Sequence, residues 1–229
     1  MERVITLGLD QYLSAQTTIA KENPIYKKVV ALMEGGADTG EGSVYLSGYD
    51  FYGEEKKQAY KDLVTACGAD TYVDPSTPSA TISRTEDGSV QVSLTVAYWR
   101  KANQIHNWFV ENVQGGEDEC NPFDASREKL RELVKACKLV LGRSELAEGQ
   151  VYAGTTFKPG GEEEVLYEEG KVVVEPAVAQ EILPTTSGFF FGSTSYDQWY
   201  IRDLEDTVSQ IERALKMPPE WTLVYQSSW

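Results

Sequence analysis

The chain has 229 residues, 41% apolar and 25% charged, the balance of a soluble globular protein and not of a disordered, collagenous or membrane chain. Its apolar runs are only a few residues long, against the roughly 20 needed to cross a bilayer. Thirty-six acidic residues against 21 basic ones give a net charge of −15, which repels phosphate backbones and anionic headgroups and argues against broad nucleic-acid or membrane binding.

Taken in order, Val4 to Leu13 reads as a first strand with Gly8 inside it. Asn23-Pro24 opens a helix that runs to Glu34, because the missing proline N–H has no partner in a first turn anyway. Gly35-Gly36 ends it, and an acidic, Gly-rich loop over 35–43 follows. Val44 to Phe51 reads as a strand. Glu54 to Cys67 reads as a helix with Ala59, Tyr60, Leu63 and Val64 on one side.

The clearest β signal is Thr81 to Trp99, where Thr81–Arg84 and Val90–Val96 alternate around a Glu86-Asp87-Gly88 turn. A helix is predicted over Trp99 to Val113, with Ala102, Ile105, Phe109 and Val113 on its apolar face. Ser126 caps the next helix, striped with Leu130, Leu133, Val134, Cys137 and Leu141. Short β segments around Lys158-Pro159-Gly160-Gly161 and Glu169-Gly170 then suggest an inserted hairpin or three-stranded flap over 150–178. In Leu183 to Asp197, Phe189-Phe190-Phe191 reads as a short core strand and Ser195 or Asp197 as a helix cap. The last helix carries Ile201, Leu204, Val208, Ile211 and Leu215, and Trp221 to Tyr225 is a terminal strand. The aromatic end, Ser227-Ser228-Trp229, reads as a docked tail, since free chain ends fray.

Strands come as hairpins, without a βαβ rhythm. The expected fold is therefore α+β, a single domain over 1–229: a mostly antiparallel sheet with about three to five helices on one face and an inserted β-hairpin flap. Cys67, Cys120 and Cys137 are odd in number and lack CxxC spacing, so a disulfide scaffold or zinc site is not expected, and Cys137 reads as a buried thiol. Neither a metal nor a cofactor is expected. The start, Met1 to Thr6, lacks the features of a signal peptide, which points to the cytoplasm of a bacterial cell.

Phosphate-loop, dinucleotide, zincin and nucleophile-elbow motifs are missing. Two segments nevertheless stand out. Arg100, Asn103 and His106 sit within two turns of the predicted helix, beside Trp99 and Trp108. Arginine and histidine can hold an anion, asparagine an amide edge, and tryptophan can stack on a ring. The second segment, Pro184 to Asp197, offers Thr186, Ser187, Ser193 and Tyr196 around Gly188 and Gly192, neutral donors ahead of a helix. The candidate ligand site is accordingly Trp99, Arg100, Asn103 and His106 with Thr186, Ser187, Ser193 and Tyr196. No catalytic residue is assigned.

The stretches Gly8–Leu13, Tyr98–Val110, Leu183–Asp197 and Ser227–Trp229 resemble a family of small uncharacterised proteins from tailed bacteriophages and prophages. The resemblance spans the length of the chain, and 14–80 and 150–178 look like elaborations of a compact pattern. It implies a phage setting, in the cytoplasm of an infected host, and a common fold. The expected function is stoichiometric binding for host takeover or counter-defence, with an anionic small molecule or a host protein as partner. Two alternatives stand beside it: a small nucleotide-acting enzyme using His106, and an acidic decoy or virion-associated protein; a second copy of the chain, in a homo-oligomer, is a further candidate partner.

Overall fold

A computed structural model describes residues 8–35, 42–158, 161, 163–188 and 191–229. The fold is α+β. Among the described residues the strands are β1 (Asp10–Ile19), β2 (Ser43–Ser47), β3 (Ser79–Arg84), β4 (Val90–Arg100), β5 (Phe123–Asp124), β6 (Leu146–Phe157), β7 (Glu163–Val173) and β8 (Thr222–Ser228). The helices are α1 (Tyr26–Glu34), α2 (Glu54–Ala66), α3 (Asn103–Asn112), α4 (Arg127–Leu141), α5 (Ala177–Ile182) and α6 (Gln198–Ala214). Six strands form one sheet in the order β2-β3-β4-β1-β8-β5, every neighbouring pair antiparallel. β6 and β7 form a separate two-stranded hairpin.

Period-two alternation sends Leu13, Ala15 and Ile19 of β1 and Val90, Val92 and Leu94 of β4 into a single core. There they meet Leu63 of α2, Leu130, Leu133 and Cys137 of α4 and Leu204 and Ile211 of α6. Each such side chain contributes about 1.5–3 kcal/mol by leaving water. The register of β1 against β4 shifts between Leu13 and Ser14, so Val96 is an extra residue in β4. This bulge moves the inward positions from even to odd, and Ala97 and Trp99 become the buried residues beyond it. The opposite face of the sheet is hydroxylic and aromatic. Its cross-strand rows pair Tyr98 with Tyr12, and Tyr45 with Thr81, Ser93 and Gln16 in turn.

Several sequence expectations change. The first strand starts at Asp10 and runs to Ile19, while Val4 to Leu7 lie outside the described residues. The second strand stops at Ser47, and a 3-10 turn takes Asp50–Tyr52. Helix α3 does not start at Trp99: β4 stays paired through Arg100, which lies opposite Asp10, and α3 begins at Asn103. The aromatic pair Tyr98-Trp99 favours the pleated surface, and tertiary pairing overrides the helical spacing that follows. Of the two forms expected for the flap, the hairpin is the one found, because β7 continues through Glu169-Gly170. The short helix α5 carries too few residues to show a periodicity. Of the Phe triplet, Phe189 and Phe190 fall outside the described residues, and Phe191 is not in a strand.

Other expectations hold. The Ser126 side chain accepts from the Lys129 N–H and caps α4. Asp197 caps α6. The chain end docks as β8, paired along β1 from Thr222 to Ser228. Cys67, Cys120 and Cys137 are free thiols. Among the described residues no helix is long and apolar enough to cross a membrane. The 14–80 stretch supplies the second half of β1 and all of β2, so it is built into the sheet.

Candidate functional site

The junction between β4 and α3 is a tight structure. Lys101 takes φ 60°, a left-handed conformation uncommon for a residue with a side chain. Its N–H donates to the Leu9 carbonyl at 2.7 Å. Gly192 packs against it at φ 88°, where a Cβ would lie 3.0 Å from that of Lys101, so glycine is required on both counts. Asn103 then ties the 183–197 segment to α3. Its Nδ2 donates to the carbonyls of Ser193 at 2.8 Å and Phe191 at 3.2 Å, and its Oδ1 accepts from the Thr186 N–H at 3.0 Å.

Between this junction, the 183–197 segment and the start of α6 lies a cleft of about 320 Å³. Arg100, Lys101, Gln104, Thr185, Ser193, Asp197, Trp199 and Asp203 line it, with Tyr152 of the flap. The flap is rooted here: the Lys171 N–H donates to Gln198 Oε1 at 3.0 Å, and the Val173 N–H to the Tyr196 carbonyl at 3.0 Å.

Two carboxyls give the cleft its chemistry. Asp197 is 2% exposed. Its Oδ1 caps α6, accepting from the N–H groups of Trp199 at 2.8 Å and Tyr200 at 3.2 Å. Its Oδ2 is buried and has no hydrogen-bond partner. A buried acceptor left unpaired costs about 1–3 kcal/mol. Asp203 accepts from Gln104 Nε2 at 2.9 Å. Burial pushes its carboxyl up to about 7; the Gln104 hydrogen bond opposes this, while Asp206 and Asp197 add to it. Near neutrality Asp203 is divided between acid and carboxylate and can donate or accept. Arg100 pairs with Asp10 at 3.0 and 3.2 Å.

His106, 1% exposed, belongs to a different construction. Its Nδ1 bonds the Tyr225 hydroxyl at 2.8 Å and its Nε2 bonds Asp118 Oδ2 at 2.8 Å. Tyr225 donates on to Gln11 Oε1 at 3.2 Å, and Gln11 Nε2 donates to the Ala102 carbonyl at 3.1 Å. This chain of buried groups fastens α3 to β8 and β1. The rings of Phe109 and Tyr225 stack beside it, centroids 3.8 Å apart.

The eight residues expected at the site therefore separate. Arg100 and Ser193 line the cleft. Asn103 and Thr186 lie behind it, bonded to each other. Trp99 is buried, its Nε1 donating to Thr207 Oγ1 at 2.9 Å. The Tyr196 hydroxyl accepts from the Thr185 N–H at 3.1 Å, and Ser187 is exposed. His106 does not line the cleft. Sequence reasoning missed Asp203, Asp197 as more than a cap, Gln104 and Trp199. The one available signal was Trp199 and Asp203 at i and i+4 off the apolar stripe of α6. No family model, curated protein or solved structure matches the chain.

Proposed function

We propose that the protein is a phage-encoded accessory protein that captures a small, anionic, nucleotide-like ligand one-to-one in this cleft. Its role on that reading is counter-defence or host takeover in the infected cell's cytoplasm, by sequestering a host signal. The observation that carries the reading is that Asp203, its hydrogen-bond partner Gln104, Trp199, Arg100 and Lys101 line one cleft. The raised Asp203 carboxyl can donate or accept, and so can the Gln104 amide, which matches the mixed donors and acceptors on the edge of a purine. Trp199, 45% exposed, offers a ring face for stacking. Arg100 and Lys101 supply cations for a phosphate. The volume suits a mononucleotide-sized ligand. The buried anchorage of His106 favours binding over acid–base turnover by that residue.

Tryptophan fluorescence titrated with guanosine and adenosine 5′-monophosphates tests this. Saturable quenching by either, weakened at least tenfold in both Trp199→Ala and Arg100→Ala, is the expected result. No quenching by either nucleotide, with no nucleotide co-purifying by native mass spectrometry, sinks it. Release of product that stops in Asp203→Asn would convert the binder into an enzyme.

A further inference from the structure

A larger recess lies elsewhere, on the outer face of the sheet. It measures about 750 Å³ and spans β1 to β4 and the loops beside β2. Four tyrosines (Tyr12, Tyr45, Tyr49 and Tyr98) and six serine or threonine residues line it, with Phe51 and Ala80, and none of the lining residues is charged. In a chain of net charge −15 this is an unusual stretch of neutral surface.

The sheet register builds it. Tyr12 and Tyr98 lie directly opposite across β1 and β4, ring centroids 5.2 Å apart. Two strands away, Tyr45 faces outward next to Thr81, which is paired with Ser93. On the floor Ser79 and Thr95 bond through their hydroxyls at 2.7 Å. At the rim Phe51 is 76% exposed, stacked on Tyr49 with centroids 5.3 Å apart and against Tyr52 at 4.3 Å. The Tyr49 hydroxyl donates to the Ser76 carbonyl at 2.5 Å, which fixes the rim ring in place. Burial raises the Tyr12 and Tyr45 hydroxyls above their ordinary value, so both stay protonated and neutral.

We propose that this face is a second binding site, and that its ligand is a neutral saccharide. A pyranose ring has an apolar C–H face and an equatorial girdle of hydroxyls. Aromatic ring faces, negative at the centre, suit the first. Uncharged hydroxyls that can donate or accept suit the second. A recess within the roughly 300–1,000 Å³ of small-molecule sites, aromatic with a few polar groups, has the usual make-up of such a site. Polyanions are disfavoured, because the walls hold no cation and the protein's field repels them. The site shares no assigned residue with the nucleotide cleft, so the two readings stand or fall separately.

The test is aromatic NMR of tyrosine-labelled protein titrated with cellohexaose, maltohexaose and tetra-N-acetylchitotetraose, with hexathymidylate as the charged competitor class. Saturable shifts of the Tyr12, Tyr45 and Tyr98 rings with at least one glycan are expected. Tyr12→Phe and Ser93→Asp should each weaken that glycan at least fivefold while the spectrum elsewhere stays native; both leave the core-facing residues untouched. Silence with all three glycans, shifts that map to Trp199 instead, or an equal response to hexathymidylate would overturn the proposal.

Discussion

The cleft at the α3–α6 junction and the recess on the outer sheet face are made of opposite materials. The cleft gathers charge: Arg100, Lys101, Asp197 and Asp203 all line it. The sheet face gathers rings and hydroxyls and no charge at all. Their construction differs as well. Side chains bonded to loop backbone assemble the cleft, whereas strand register presents most of the sheet face and loops supply only its rim. Damage to the loop clamps should therefore separate the two sites, and damage to the shared core should lose both.

The largest effect belongs to that shared core. Phe109 is fully buried between Trp99, Trp108 and Tyr225. Phe109→Ala should cost about 3–5 kcal/mol, read by denaturant unfolding, and abolish binding at both sites. Next comes Asn103→Ala, which strands the Thr186 N–H and two carbonyls. It should cost about 1–3 kcal/mol, speed amide exchange across 185–195, and abolish nucleotide binding while the tyrosine resonances of the sheet face stay unmoved. If Asn103→Ala also disturbs the sheet face, the two sites are one cooperative unit.

The sheet was largely legible in the sequence, and so was its outer face in principle. The alternation in Val90–Val96 and the Asp87-Gly88 turn are local signals that the fold leaves unopposed. The start of α3 was not legible, because its true boundary depends on Arg100 pairing with Asp10, ninety residues away. Assigning Arg100 to the helix put it within two turns of Asn103 and His106, whereas it belongs to the strand opposite Asp10 and Tyr225 of β8 takes up His106. Asp203 could not be picked from 36 acidic residues, since its distinction is burial next to Gln104, which spacing does not encode. The hydroxyl-rich 183–197 segment was noticed. Its principal partner, the Asn103 side chain, was expected to meet a ligand instead.

A smaller effect, with a size that depends on pH, isolates the charged cleft. The folded-state value of Asp203, about 7, lies above the ordinary value near 4. The native state thus holds this proton more tightly than the unfolded chain does. Its contribution to stability is fully present below about pH 4 and is lost as pH rises toward about 7. Asp203→Asn, which keeps an acceptor for Gln104, should melt a few degrees higher than the parent at about pH 8, and the gap should shrink as pH falls and close only below about pH 4. A gap independent of pH would mean that Asp203 titrates as an ordinary surface carboxyl. The sheet-face site holds no such group, so its ligand affinity should be flat over the same range.

The smallest expected change in stability is at Arg100, which stands on the border between the two sites. Arg100 lines the cleft and its guanidinium pairs with Asp10, whose Oδ1 also accepts from the Tyr98 hydroxyl at 2.5 Å. Tyr98 in turn lines the sheet face. The Arg100 side chain is 41% exposed, and an ion pair that open to solvent is worth about 0–1 kcal/mol. Arg100→Ala should therefore move the melting temperature by no more than a degree or two. Asp10 keeps its bond from Tyr98, so the Tyr12–Tyr98 ring pair and glycan binding should hold. Nucleotide binding should fall at least tenfold, and what remains should lose most of its salt dependence, because the phosphate has lost a cation. Loss of glycan binding in this variant would show that the Asp10–Arg100 pair positions Tyr98, joining two sites that the geometry otherwise keeps apart. A melting temperature lower by ten degrees or more would make Arg100 a brace of the sheet end and remove it from the nucleotide site.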